Sequence, residues 1–552
     1  PVWQFESSWT GSVNRGEILL QEKHYDVVIV GAGFAGAIVA AKLAKEGVNP
    51  VNGERLKIAL IEGGPYYKGK PNWGYGIASR RQMFTHIPQD MRQPNHGSRT
   101  VGGRQFKGVG GGSVFWGGKG HPPDDKDYER WGRETGVDWT QERMKSAVDE
   151  LQRIWHSHTL PDSMLSEYHF QFRDAAEAMG YSTRKMLIHK RNCIMCGSHY
   201  ESQPQCRYDA KMSTLLSHIP EAEENGVEIL PNTVVERVII EKKNFQWTAT
   251  GVWCKEKDQP AQKVEAKRVM LAAAMDNPLI LYASGYGPKD FLGEKLLVEN
   301  PNVGANIGGH PRSVRGPVTA RFEDLVVHEP GDGNFGFWFV DDKDSQGSER
   351  LFICSGADTH GSSFWGAQSY ALSQWAPEFG RRHKQWMKDN WKGWRHIIGE
   401  PFYMGPLVAY SNWSAPRPRV LPDGTLPFNH KHTTFTKRAK ECADLMWSLF
   451  EQMGAKEIRR VPEHHRITVQ PFTHEVGACR GGADRRNSVV NSDFECHDIT
   501  NLFVVDSSTV PTETSLWSGG TVAAVMGTYA AQRIIGNHFS RNNVSLSKEK
   551  RV

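Results

Sequence analysis

The sequence predicts a mixed α/β fold: a parallel sheet flanked by helices, in a chain long enough for two intertwined domains. Three observations predict it. A short apolar run, "YDVVIV" (25–30), leads straight into glycines at 31, 33 and 36 and then a helical pattern, "AGAIVAAKLAKEG". A second apolar run, "KIALIEGG", ends on an acid, Glu62. Near the C-terminus, "NLFVVDSSTVPT" delivers Asp506 to a turn ahead of another helical pattern, "TVAAVMGTYAAQRII". Short apolar runs bounded by turn signals, alternating with helical periods, are how buried parallel strands read in a sequence.

Each piece of the first module has a physical reason. Gly31 permits a tight turn after the first strand. Gly33 lets backbone approach a pyrophosphate, and Gly36 lets the helix pack closely on the strand. The helix start then offers free N–H groups and a positive dipole end to phosphates. Glu62 suits the two hydroxyls of an adenosine ribose. It lies 26 residues beyond Gly36, against a usual spacing of about 20, and the loop "VNPVNGER" accounts for the excess. An acid at this place disfavours a 2′-phosphate, and hence NADP, and leaves NAD and FAD both open.

The later pieces favour FAD. From Thr100 to Gly132 the chain carries nine glycines before His121. This stretch is expected to be neither helix nor regular strand, and to lie flat along an extended ligand. "VEILPNTVVERVII" (227–240) alternates like a strand. "KRVMLAAAMDNPLILYASG" (267–285) reads as strand, small-residue turn and helix.

These motifs, in this order, resemble the glucose-methanol-choline (GMC) oxidoreductases. The narrower resemblance is to the flavoprotein large subunits of gluconate-, fructose- and glucoside-3-dehydrogenase type. The resemblance implies a Rossmann-like FAD-binding domain interleaved with a sheet-and-helix substrate domain. It places the FAD-binding domain at 24–135 and 220–315, and a cofactor-covering segment with a cysteine loop at 136–219. The substrate-binding domain follows at 316–465, then an FAD-binding and catalytic block at 466–540 and a tail at 541–552. It implies that Gly31, Gly33, Gly36 and Glu62 hold the ADP half of FAD. Val235 contacts adenine through its backbone, Gly110, Gly111 and Ser113 line the pyrophosphate and ring, and Asp506 sits near the ribityl and phosphate groups. Relatives often read "VGGTTWHWGG" where this chain reads "VGGGSVFWGG" (109–118). In one branch that histidine bonds the flavin covalently. Phe115 stands there in this chain, so the expected FAD is non-covalent.

The block "ITVQPFTHEVGACRGGADRRNSVVNSDFECHDITNLFVVD" resembles the family's C-terminal block, and His474 falls on its catalytic histidine. Alcohol oxidation sends hydride from carbon to an acceptor while the hydroxyl proton leaves. A neutral imidazole is suited to take that proton. The family pairs this histidine with an Asn or His a little further on. Here "PTETSLWSGGT" puts Trp517 in that place. Indole donates one hydrogen bond and cannot take a proton. His310, in "GANIGGHPR", is the candidate third group, set against its reading as a capping or surface-turn residue. Glu513 is a weaker one.

"RNCIMCGSHYESQPQCRYDAKMST" gathers Cys193, Cys196, His199 and Cys206. Four such side chains in one loop can complete a tetrahedral zinc site, and three cysteines can hold an iron–sulfur cluster. Some sugar-dehydrogenase relatives carry such a cluster, which would pass electrons to a cytochrome partner, with a small subunit alongside. Metal-free thiols or a disulfide are the competing reading. The other cysteines are dispersed and read as buried small hydrophobes.

Composition narrows the partners. The 67 Lys and Arg nearly balance the 62 Asp and Glu, leaving a net charge of +5 without a basic cluster of the kind that binds nucleic acid. No apolar run reaches the ~18 residues of a transmembrane helix. The first residues lack a secretory signature, so the chain is expected in the cytoplasm, or in the periplasm if a signal has been removed or a partner exports it. Six tryptophans, 365, 375, 386, 391, 394 and 413, fall in the least-matched region. Flat aromatic faces suit sugar rings or aromatic groups, although core packing accounts for most such residues. "GRRHKQWMKDNWKGWRHIIGE" reads as a basic amphipathic segment. The expected activity is FAD-dependent oxidation of a secondary hydroxyl of a sugar, glycoside or polyol. The alternatives are oxidation of a bulky apolar, aromatic or steroid alcohol, and a redox-inactive flavin-binding subunit.

Overall fold

The computed structural model describes residues 24–68, 98–100, 107–114, 116–194, 206, 208–256, 259–313, 318–327, 336–342, 350–355, 375, 379–398, 419–427, 433–460, 469–512 and 519–540. The parallel core begins with β1 (His24–Val30), buried along nearly its whole length, followed by α1 (Phe34–Glu46) and β2 (Ile58–Ile61). Two amphipathic helices follow, α2 (Asp125–Thr135) and α3 (Gln141–Ile154). Then come β3 (Glu228–Leu230), β4 (Thr233–Lys243), β5 (Gln246–Glu256) and β6 (Gln262–Leu271). Near the site lie β7 (Gly308–Ser313), α4 (Thr433–Gln452), β8 (Val469–Val476), β9 (Leu502–Val504) and α5 (Gly519–Ile534).

The main sheet runs β3-β2-β1-β6-β5-β4. β1, β2, β3 and β6 are parallel where they pair, while β4–β5 is an antiparallel hairpin closed by Asn244 and Phe245, both at positive φ. That two-residue pattern matches the twist of a hairpin. β6 pairs β5 through Gln262–Glu265 and then β9 through Val269–Leu271. β9 thereby carries the chain after Val504 to the same sheet end as the glycine turn.

One face of the sheet is covered by α1 and α5. Ile38, Val39 and Leu43 are fully buried there with Val522, Val525 and Ile534, each contributing about 1.5–3 kcal/mol. The two helices approach so closely that a Cβ on Gly527 would lie 2.7 Å from Ala35 Cα. A second core gathers Tyr168, Phe172, Val318, Phe339, Ile353, Met446, Leu449 and Phe450. Its sheets pair Val318–Arg321 with Glu457–Arg460, and Phe337–Asp342 with Arg350–Cys354.

Two expectations change. The segment Thr100–Gly132 is not irregular throughout, because α2 begins at Asp125. Asp124 and Asp127 form a capping box, and Gly136 closes the helix in the left-handed conformation, a strong local signal that glycine counting obscured. His310 lies in strand β7 rather than in a turn.

Candidate active site

The first glycine turn leaves a cradle at the end of β1. Gly31 has φ +98, and a Cβ there would sit 2.5 Å from Ala272 O, so only glycine fits. A Cβ on Gly36 would overlap the Gly31 carbonyl. Gly33 caps α1 without any side-chain hydrogen bond to its first N–H groups. A Cβ on Gly33 would meet nothing nearer than Gly111 Cα at 4.0 Å, so open space lies before the turn. Gly111, at φ +50, closes the other side, since its own Cβ would come 2.5 Å from Gly33 Cα. The Gly110 N–H donates to Ala32 O at 2.8 Å, locking the two glycine loops together. Unfilled helix N–H groups facing open space are what a pyrophosphate needs.

Glu62 ends β2 almost fully buried. Its carboxylate accepts from Ala32 N at 3.0 Å and Gly64 N at 2.9 Å. Burial pushes its pKa up, while those two N–H groups and Lys107 pull the other way. Val235 sits where the β4–β5 register slips, between Val235 and Arg237. Its neighbour Val234 reaches within 3.5 Å of where a Cβ on Gly63 would stand. Lys107 and Asp276 form an ion pair of 3.2 Å joining the glycine loop to the turn after β6.

Ser113 and Asp506 both make hydrogen bonds within the protein. Ser113 has no exposed surface. Its hydroxyl bonds Gly110 O at 2.5 Å and Thr214 Oγ1 at 2.9 Å, so it braces the loop from behind. Asp506 is also buried. It accepts from Ala274 N, Asn277 Nδ2, Ser508 N and Ser508 Oγ, tying the turns after β6 and β9 together. Burial raises its pKa, and these donors oppose the rise.

His474 lies near the end of β8. β7 and β8 pair as Gly308↔Val476 and His310↔Thr473, so β8 holds one extra residue between those pairs. His474 falls in that bulge and has φ +62. A bulge re-aims a side chain, and a non-glycine residue at positive φ is held there by its surroundings. The imidazole rests on the start of α5: a Cβ on Gly519 would overlap its Cγ and Cδ2 and lie 2.5 Å from its Cβ. On the next residue, a Cβ at Gly520 would lie 2.6 Å from Trp116 Cε3 and 2.8 Å from Phe34 Cζ. The start of α5 is thus wedged between His474 and the indole of the second glycine motif. The strand pairing sets the His310 backbone beside Thr473; its side chain lies outside the described residues, as do Trp517, Glu513 and Phe115.

Sequence reading missed the support beneath this point. Trp116 stacks on His189 with ring centroids 5.2 Å apart, meets Phe34 edge-on and packs on Trp155. Its Nε1 donates to Met212 O at 2.8 Å. His189 is within hydrogen-bond distance of Ser157 Oγ, Gly120 O and Thr521 Oγ1, and burial pushes its pKa down to about 3. The only available signal was local: a tryptophan following a glycine run, and paired glycines opening a helix.

Cys193 and Cys206 are half-buried, while Cys196 and His199 lie outside the described residues. Among the described residues no group of three or more His, Cys, Asp or Glu is arranged to hold a metal. Nearby, burial pushes the Lys190 ammonium down to about 7. Of the six tryptophans in the least-matched region, Trp375 is buried beneath Arg459, and Trp386 and Trp391 pack against its cluster. Trp365 and Trp413 lie outside the described residues, as does the side chain of Trp394. No helix among the described residues is long and apolar enough to cross a membrane.

Comparison with known proteins accords with this geometry. The GMC oxidoreductase family pattern matches residues 25–312 and 428–525. Versicolorin B synthase of Aspergillus parasiticus is 23% identical over 93% of this chain and 88% of its own length. Pyridoxine 4-oxidase of Microbacterium luteolum is 22% identical over 91% of this chain and 97% of its own. The crystal structure of formate oxidase superposes with a TM-score of 0.65 at 17% identity, over 94% of this chain and 99% of that one, and shows the shared fold. The chain belongs to the GMC oxidoreductase family, FAD-dependent oxidoreductases that act on CH–OH donors.

Proposed function

We propose that this chain oxidises a secondary hydroxyl of a sugar, glycoside or polyol, with His474 taking the hydroxyl proton. The observation that carries the proton role is His474's placement: held in a bulge at positive φ and pressed onto the start of α5, opposite Trp116. FAD supplies the hydride acceptor, at flavin N5. Gly31, Gly33, Gly36 and Gly111 shape the groove for its pyrophosphate, and Glu62 is the acid for its ribose. A neutral imidazole can take the proton as the hydride leaves, which prevents charge building up on the substrate. Trp517 can donate a hydrogen bond but not move a proton, so proton transfer falls to His474. His310, one strand away, is the group to stand in for the family's second polar residue.

The sugar assignment rests on the narrower resemblance to sugar-acid and glycoside dehydrogenases. A second reading, an aromatic alcohol, is favoured by the likeness to pyridoxine 4-oxidase over nearly the whole chain. Anaerobic titration with a panel of sugars, glycosides and aromatic alcohols separates them through bleaching of the flavin. Bleaching by sugars supports the first, bleaching only by aromatic alcohols the second, and bleaching by no alcohol contradicts both. An electron route through the cysteine loop to a cytochrome rests on Cys193, Cys196 and Cys206 alone. A visible spectrum with a broad brown shoulder beside the flavin bands would support it, and flavin bands alone would end it.

A further inference from the structure

We infer that Gly519 is a positioning residue, whose missing side chain sets the place of the His474 imidazole. This rests on the reading of His474 as the proton acceptor. His474 is carried at φ +62 in the β8 bulge, so its side chain leaves the strand at an angle that regular pairing would not give. The imidazole leans on the first turn of α5. There the first helical position is Gly519, and the ring occupies the volume that a Cβ at 519 would fill: the overlap covers Cγ and Cδ2, with Cβ at 2.5 Å. Distances that short are not reached by real Cβ atoms, so alanine there must move either the ring or the helix.

The helix cannot yield easily. Gly520 is already pressed against Trp116 and Phe34, which are themselves packed against Trp155 and His189. Thr521, one residue on, lies 3.1 Å from His189 Nε2. Val522, Ala524 and Val525 are buried behind them in the main core. The helix start is thus fixed from the Trp116 side, so a methyl added at 519 bears on the ring. Two adjacent glycines at a helix start are unfavourable for the helix itself. Here each has a separate partner: Gly520 admits the indole, and Gly519 admits the imidazole.

The test compares Gly519→Ala, His474→Gly and the double variant, each loaded with FAD. His474→Gly suits the positive φ and removes the overlapping atoms. Flavin reduction is followed in single turnover with an alcohol that bleaches the wild type, and melting temperature is measured alongside. Gly519→Ala is expected to slow reduction about 100-fold through misplacement of the ring, with KM little changed. It is also expected to melt lower than wild type. In the His474→Gly background the same substitution should cost neither rate nor melting temperature, because residues in contact are non-additive. Equal losses in both backgrounds, or a Gly519→Ala variant indistinguishable from wild type, would overturn the inference. A wild-type rate in His474→Gly alone would overturn the base role instead, and the melting comparison then decides the contact by itself.

Discussion

Gly33 and Gly31 stand two residues apart, and the same added methyl should do opposite things at them. At Gly33 a Cβ meets only Gly111 Cα, at 4.0 Å, and the backbone is extended at φ −80. Alanine there should cost the fold about 1 kcal/mol or less, as a weaker helix cap. The methyl would nevertheless stand in the space before the free N–H groups of α1. Pushing a pyrophosphate away from even one of them forfeits a charge-assisted hydrogen bond of about 1.5–3 kcal/mol, or about 10- to 100-fold in FAD affinity. At Gly31, φ +98 and an approach of 2.5 Å to Ala272 O load the penalty onto the fold itself. A left-handed alanine costs about 1–2 kcal/mol, and overpacking adds about 1–3 more. Gly63 is the control, because its Cβ would meet Val234 at an ordinary 3.5 Å. The assay is apoprotein melting followed by fluorescence titration with FAD. Gly33→Ala should melt near wild type yet bind FAD weakly, whereas Gly31→Ala should melt low. Wild-type FAD affinity in Gly33→Ala would refute the placement of the cofactor on this turn.

Three further outcomes follow from the same structure. His189 and His218, both buried, and half-buried His121 are held as neutral imidazoles, with pKa values pushed from 6.5 to about 3, 4 and 4 by desolvation. Below pH 6.5 the unfolded chain takes protons that the native fold refuses, so stability falls as pH drops; at pH 5 His189 alone accounts for about 2 kcal/mol. Buried Glu62 and Asp506 act in the opposite sense, so the comparison to make is His189→Gln, which should shrink the melting difference between pH 7 and pH 5; an unchanged difference contradicts the assignment. Asp124 caps α2 and accepts two hydrogen bonds from Arg350, at 2.9 and 2.8 Å. Asp124→Ala should therefore lower unfolding stability by about 2–4 kcal/mol in urea, and a wild-type midpoint would contradict that. Acid precipitation should leave a colourless pellet and a yellow supernatant, because Phe115 offers no atom for a covalent flavin bond; a yellow pellet would show otherwise.

The cradle was legible because its determinants are local. Gly31, Gly33 and Gly36 act on a single turn, and Glu62 ends the next strand, so spacing alone places them. The base proposed here, His474, was legible only through resemblance. Its geometry was not, because the contact with Gly519 joins positions 45 residues apart and depends on a bulge in β8. Ser113 entered only through the resemblance, and the bonds of its hydroxyl to Gly110 and Thr214 join positions that no spacing in the sequence brings together. Composition cannot distinguish an exposed indole from one packed, as Trp375 is, beneath Arg459. His189 gave no signal at all, since only the fold brings it under Trp116.

The most direct test of the account is the rate of flavin reduction in His474→Ala, measured anaerobically with whichever alcohol bleaches the wild-type enzyme. With FAD still bound, the rate should fall by about 100- to 10,000-fold, the usual contribution of a general base. A rate near wild type would show that His474 does not take the proton.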